Sequence, residues 1–198
     1  MKIFFDNVNL NSRSGPNSFG KKLKDSLSKM GHDVKVSPVT NKDHFNIQLS
    51  FIAASENIAP VVQRLDGIYF NSAQNFNALN APIEATYKRA ESVIFQSRFN
   101  KELTEHFFGK KDKSYIIHNG TCLSTIESIS PIKNAQLDKF SSIWCCASSW
   151  RPHKRLQENI NYFLEFSPHD CCLVIAGENP DVQITHPRIF YSGDLLWK

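Results

Sequence analysis

Apolar residues along this chain follow two alternating patterns. Short continuous runs sit between polar turns, and between the runs lie segments with an apolar residue every third or fourth position. The clearest runs are Ile143-Trp144-Cys145-Cys146-Ala147 and Cys171-Cys172-Leu173-Val174-Ile175-Ala176, the second closed by Gly177. Continuous runs of this length fit strands buried on both faces, as in a parallel sheet. Leu156, Ile160, Phe163 and Leu164 between them fall at helical spacing. Strand, basic turn, helix and strand in that order predict a βαβ crossover.

The same alternation runs through the first part of the chain. Residues 2–8 (KIFFDNV) predict a strand, residues 9–18 a polar turn, and residues 17–30 a helix with Phe19, Leu23, Leu27 and Met30 on one face. Gly31 stands where a helix commonly ends, and residues 33–36 predict the next strand. Further strands are expected at 47–54, 60–65, 92–96 and 115–117. A helix is expected at 82–89, after an Asn-rich loop at 71–80. Another follows Ser97 to residue 108, with Phe99, Leu103, Phe107 and Phe108 packing inward. The fold class is therefore α/β: a Rossmann-like parallel-sheet domain over residues 1–120, a polar linker over 121–138, and the beginning of a second Rossmann-like domain over 139–198. A last short strand is expected at 188–191. With two or three strands and one clear helix, the second domain reads as incomplete.

Composition narrows the class. The chain has 198 residues and a net charge of +4, mild enough to suit phosphate ligands without pointing to nucleic acid. No apolar run approaches the roughly 20 residues of a membrane span. The N-terminus turns polar too soon for a signal peptide. Four of the five cysteines form adjacent pairs inside expected strands, so buried reduced thiols and a cytoplasmic setting are expected. The charged turn at 109–113 reads as a solvated face, with peripheral contact to an anionic membrane as the alternative.

Candidate chemistry clusters where strands end. Arg151, His153, Lys154 and Arg155 lie at the start of the helix in the βαβ unit, where unpaired N–H groups and the helix dipole already favour an anion. Ligands of open α/β sheets bind at the carboxyl ends of their strands. Asp66-Gly67 follows the strand at 60–65, and Asp66 is either a ligand contact or the cap of a turn. A pairing of Asp66 with Arg64 is not expected. Gly15 is a loop or turn glycine, Ser97 a helix cap open to a ligand, and Asn119-Gly120 a tight turn. There is no GxGxxG fingerprint and no DxD-like motif at a strand end, so neither a dinucleotide nor a divalent metal is expected.

WRPHKRL followed by LVIAGENP resembles the opening of the second domain in nucleotide-sugar-dependent glycosyltransferases of family 4, which have the two-Rossmann GT-B architecture. Gly31-His32-Asp33-Val34 is similar to that family's GH(D/E)V run, and SVIFQSRFNKEL to its strand-Ser-helix segment. Ile117-His118-Asn119-Gly120 is similar to its I-P-N-G turn, with His118 in place of Pro. The resemblance implies a donor site at Gly15, Arg151, Lys154, Gly177 and Glu178. Lys154 takes the phosphate-binding position, and Arg151 stands near a family Arg position occupied here by Ser149. It implies Asp66, in an RLDG run, as the catalytic residue on the acceptor side, and Ser97 in the acceptor cleft. The family's paired glutamates would lie beyond Lys198. The implied activity is transfer of a sugar from a nucleotide-sugar donor to a glycan or lipid-linked acceptor, with retention. No cofactor is implied beyond that co-substrate. The alternatives are a non-catalytic sugar-nucleotide or glycan-binding module, or an inactive fragment.

Overall fold

The structure is a computed structural model that describes residues 1–12, 14–37, 39, 44–130 and 134–193. The chain divides into two compact units, Met1–Thr121 and Cys122–Lys198.

The first unit holds a six-stranded, wholly parallel sheet: β1 (Lys2–Asp6), β2 (Asp33–Val36), β3 (Ile47–Phe51), β4 (Val61–Leu65), β5 (Ser92–Phe95) and β6 (Ser114–Ile116). Its order is β2-β1-β3-β4-β5-β6, so the chain reverses its direction of travel across the sheet between β1 and β3. Such a reversal opens a crevice at the carboxyl ends of the two strands concerned. Phe4 and Phe5 point to opposite sides of β1, and both are fully buried. Helix α1 (Gly15–Lys29) packs Phe19, Leu23 and Leu27 against Ile3, Phe5, Val34 and Phe51. Helix α2 (Phe76–Arg89) buries Ile83 and Tyr87 with Val61, Leu65, Val93 and Phe95. Helix α3 (Arg98–Phe108) adds Leu103 and Phe108 to the same core.

The elements depart from the sequence pattern in instructive ways. α2 begins six residues earlier than expected, so half of the Asn-rich segment is helical. The Asn75 side chain accepts from the Ala78 N–H at 3.2 Å, and Asn80 exchanges two hydrogen bonds with the Tyr69 backbone at 2.9 and 2.7 Å. Pro82 lies inside this helix and removes one backbone bond, which buried Ile83 and Tyr87 offset. α1 starts at Gly15 with Pro16 in its first turn, where the missing N–H costs nothing. In α3 the inward residues include Asn100 and Thr104, while Phe99 and Phe107 are exposed. Asn100 Nδ2 donates to the Leu65 carbonyl at 2.7 Å, a bond that fixes the helix on the end of β4.

The second unit contains α4 (Leu123–Glu127), β7 (Ser142–Ala147), α5 (Leu156–Phe166), β8 (Cys171–Ala176) and β9 (Ile189–Gly193). The three strands are parallel, in the order β7-β8-β9. α4 falls within the segment expected to be an irregular linker, of which residues 131–133 lie outside the described residues. α5 buries Leu156, Ile160 and Phe163 against Leu173, Ile175 and Trp150. The expectation that both flanking strands are buried on both faces holds for β8 and fails for β7. β7 is an edge strand with Ile143 52% exposed and Cys145 exposed as well. Its exposed Ile143, Cys145 and Ala147 share one face, while Trp144 and Cys146 on the other face pack against the core of the unit. The thiols divide accordingly: Cys171 and Cys172 are buried, Cys146 is half-buried, and Cys122 and Cys145 are exposed. Among the described residues no helix is long and apolar enough to cross a membrane.

Candidate functional site

The carboxyl ends of the strands carry the polar chemistry in both units. In the first, Arg64 stands next to the last residue of β4 and is only 4% exposed. Its guanidinium lies over the Phe19 ring, 3.8 Å from the centroid. Its Nη1 is paired with the Asp66 carboxylate, and its Nη2 donates to Asn119 Oδ1 at 2.9 Å. This corrects the sequence expectation that Arg64 and Asp66 do not pair. The chain bends at Asp66, just past the end of β4, and side chains two positions apart at a strand end share a side. Burial pulls the Arg64 guanidinium down from its ordinary value, and the Asp66 charge and hydrogen bond oppose that shift. Asn119 Nδ2 donates in turn to Gln96 Oε1 at 2.8 Å, and His118 Nδ1 lies 2.9 Å from the Gln96 carbonyl. Ser97 accepts from the Asn100 N–H at 3.1 Å and caps α3. Asp66 and Asn119 thus meet with Arg64 and Gln96 in one network that ties together the ends of β4, β5 and β6, while Ser97 stands beside it as the cap of α3. The tight turn expected at Asn119-Gly120 does not form: neither residue has a positive φ, and Asn119 spends its side chain on Arg64 and Gln96. Sequence reasoning singled out Asp66 and Asn119 but missed Arg64 as the centre of the network.

Gly15 opens α1, and a Cβ there would meet nothing within 4 Å. The glycine that packing requires is Gly20, where a Cβ would lie 3.0 Å from Val8 Cγ1. Around the β1–β3 crevice the backbone is unusual. Asn7 follows β1 with φ 61°, and Ile52 follows β3 with φ 69°. The Ala53 N–H donates to the Phe51 carbonyl at 2.8 Å, so Ile52 centres a left-handed γ-turn. For a β-branched residue this conformation costs about 1–3 kcal/mol. Several bonds hold it. Ile52 N–H donates to the Arg64 carbonyl at 2.9 Å, and buried Gln63 Nε2 donates to the Ile52 carbonyl at 2.6 Å. Asn7 Nδ2 reaches the Phe51 and Ala53 carbonyls at 2.9 and 3.2 Å. The turn delivers the next residues to Asp6, whose carboxylate is fully buried. It accepts from Gln48 Nε2 at 2.9 Å, Ser50 Oγ at 3.1 Å and the Ser55 N–H at 2.9 Å, and also from Ser55 Oγ. Beside this clamp is a cavity of about 280 Å³ lined by Asn7, Val8, Asn9, Asn17, Ser37 and Ser55. None of these was a sequence candidate, because the contacts join residues more than forty positions apart.

In the second unit the loops after β7 and β8 are pinned together. Trp150 Nε1 donates to the Ala176 carbonyl at 2.9 Å, Ser148 N–H to the same carbonyl at 3.2 Å, and Trp150 N–H to the Glu178 carbonyl at 3.3 Å. Gly177 has φ 116°, and a Cβ on it would lie 1.8 Å from the Ser148 carbonyl oxygen. Only glycine fits there. The pinned loop continues as a single 3₁₀ turn, Pro152–Lys154, and then Arg155 in the left-handed region, which turns the chain into α5. No side chain caps the N-terminus of α5. Arg151, His153, Lys154 and Arg155 are all exposed around it, as is Glu178. Arg155 is paired with Glu158 at 3.2 Å. Of the residues expected at a donor site, the structure thus brings Arg151, Lys154, Gly177 and Glu178 onto two joined loops of one sheet edge. Gly15 lies in the other unit. Among the described residues no group of three or more His, Cys, Asp or Glu side chains is placed to hold a metal ion.

No protein-family model and no curated protein sequence matches the chain. Solved structures do. The chain is similar to Anabaena Alr3699/HepE in complex with UDP and glucose, at 15% identity and a TM-score of 0.66, over 99% of this chain and 70% of that one. It is similar to an alpha-glucosyltransferase in complex with UDP-glucose and DNA containing an abasic site, at 16% identity and a TM-score of 0.54, over 90% of this chain and 57% of that one. It is also similar to S. aureus MnaA in a UDP co-structure, at 12% identity and a TM-score of 0.55, over 98% of this chain and 68% of that one. These likenesses show the fold: an α/β chain with parallel sheets, matching structures of the GT-B architecture.

Proposed function

We propose that this chain carries the acceptor-side domain and the opening of the donor domain of a glycosyltransferase that uses a UDP-sugar. The observation that supports this most is the cationic loop between β7 and α5. It offers exposed Arg151 and Lys154 and an uncapped helix start, and Gly177 holds it in place from the neighbouring loop. The UDP or UDP-glucose bound in structures of this fold supports the choice of ligand. As the bond between sugar and diphosphate breaks, negative charge grows on the leaving UDP. Preorganised cations and N–H groups stabilise that charge more than the charge of the bound donor, which lowers the barrier. Lys154 and Arg151 take that role, and no metal is needed for it. Asp66, held by Arg64, belongs to the acceptor side. The retaining outcome and a glycan or lipid-linked acceptor rest on the family resemblance alone.

Isothermal titration of UDP into the full chain tests the reading. Lys154→Ala should weaken binding by about 1.5–3 kcal/mol, the worth of a hydrogen bond to a charged group. The difference should shrink at high salt, because the loop is exposed. Lys110→Ala, in the charged turn of the first unit, should leave the affinity unchanged. Equal UDP affinity in Lys154→Ala and the unaltered chain would remove the phosphate role.

A further inference from the structure

One bond of the network around Arg64 reaches a dipeptide that can react with itself. Asn119-Gly120 is the single Asn-Gly step in the chain. Both residues are exposed, and residues 117–122 lie past β6, outside any helix or strand. The Gly120 N–H is therefore not tied into a helix or a sheet ladder. A Cβ at Gly120 would meet nothing within 4 Å, so the backbone there has room to move. Glycine also brings no side chain of its own into the path of its nitrogen.

The Asn119 amide is oriented by its partners. A guanidinium can only donate, so the atom that faces Arg64 Nη2 at 2.9 Å is Oδ1, and Nδ2 is the atom that donates to Gln96 Oε1 at 2.8 Å. Arg64 is itself held by Asp66 and by the Phe19 ring, and it is only 4% exposed. Its charge is thus fixed against the amide oxygen. When the Gly120 nitrogen adds to Asn119 Cγ, negative charge grows on that same oxygen. A preorganised cation at the atom where charge develops lowers the barrier to such an addition.

We infer that Asn119 is a self-modification site, at which Arg64 promotes cyclisation onto Gly120 and loss of the side-chain amide. The Gly120 nitrogen gives its proton to solvent and bonds to Cγ. The Cγ–Nδ2 bond breaks, and Nδ2 takes a proton from water and leaves as ammonia. Water then opens the cyclic imide. Opening at Cγ gives aspartate, and opening at the main-chain carbonyl of residue 119 gives isoaspartate, with an added methylene in the main chain. The net change consumes water and releases ammonia, and nothing is oxidised or reduced. Either product gains a carboxylate. Aspartate sets that carboxylate on Arg64 in competition with Asp66 and obliges Gln96 to turn its amide from acceptor to donor. Isoaspartate lengthens the main chain where it leaves the first sheet. The site does not depend on the transferase reading.

Peptide mass spectrometry tests the inference on the full chain, held at neutral pH either folded or unfolded in urea. Trypsin releases residues 114–133, and the amide-to-acid mass change, with two separable products, reports on Asn119. The folded chain should convert about tenfold faster than the unfolded one, less than the full worth of a buried oxyanion donor because Asn119 is exposed. Arg64→Met, checked for folding by circular dichroism, should convert at the unfolded rate or below it. A folded chain that converts no faster than the unfolded one would overturn the inference. So would a folded Arg64→Met chain that converts as fast as the unaltered protein. If Arg64→Met does not fold, the comparison of the unaltered chain in its two states decides alone.

Discussion

The two sheet edges of this protein spend their polar groups differently. At the carboxyl edge of the six-stranded sheet, charged and amide side chains are turned on one another. Arg64 is committed to Asp66, Asn119 and the Phe19 ring, and Asp6 to Gln48, Ser50 and Ser55. At the carboxyl edge of the three-stranded sheet, backbone groups make the bonds and the cations stay in water. Trp150, Ser148 and Gly177 pin the loops, and Arg151 and Lys154 remain exposed. A buried network fixes shape, because each member left unpaired would carry a desolvation penalty. An exposed cation on a pinned loop instead keeps its charge available to a ligand. The first edge therefore keeps a fixed arrangement of side chains, and the second keeps exposed charge on a fixed backbone.

The comparison breaks most visibly at Gly177. Gly177→Ala should destabilise the second unit by on the order of 4 kcal/mol, combining left-handed strain with an overpacked backbone contact of similar size. Thermal unfolding followed through Trp150 fluorescence measures it. An unchanged transition would mean that the pinned loops are not what shapes the cationic turn. Gly15→Ala should have little effect on folding, since open space surrounds that position.

A smaller loss is expected at the first edge. Arg64→Met should cost about 3 kcal/mol, the lower end of the range for removing one partner of a buried ion pair, because Asp66 is partly exposed and can rehydrate. Asp66→Asn should also cost folding stability, and the double variant should cost less than the sum of the two single changes. Additive losses in a double-mutant cycle would show that the pair is not coupled.

The smallest effect separates packing from site chemistry. Tyr87 is buried, its hydroxyl donates to the Gly109 carbonyl at 2.8 Å, and burial, with Glu105 nearby, pushes its pKa up to about 12. In the unfolded chain a tyrosine ionises near 10. Between those values the folded form holds a proton that the unfolded form has lost. The contribution is therefore complete below pH 10 and is lost as pH rises toward 12. Tyr87→Phe should cost about 1 kcal/mol at neutral pH and flatten that alkaline decline. A decline as steep as in the unaltered chain would assign it to other groups.

By itself the sequence determined the order of the strands and of every helix but α4, the break into two sheets, and the loops that gather Arg151, Lys154 and Gly177 after β7 and β8. These depend on local periodicity and on which residues a tight turn accepts, and neighbours in sequence carry both. It did not determine which side chains meet at the first edge. Arg64 and Asn119 lie 55 residues apart, and Asp6 and Ser55 lie 49 apart. Their meeting follows from the strand order β2-β1-β3-β4-β5-β6, which no local pattern encodes. Nor could hydrophobicity distinguish β7 from β8. The apolar run has five residues in β7 and six in β8, but β8 is buried along both faces while β7 leaves the face of Ile143 and Cys145 exposed. The inward turn of Asn100 and Thr104 was hidden for the same reason: a polar side chain is stable in a core only when its partner is there, and tertiary structure supplies the partner.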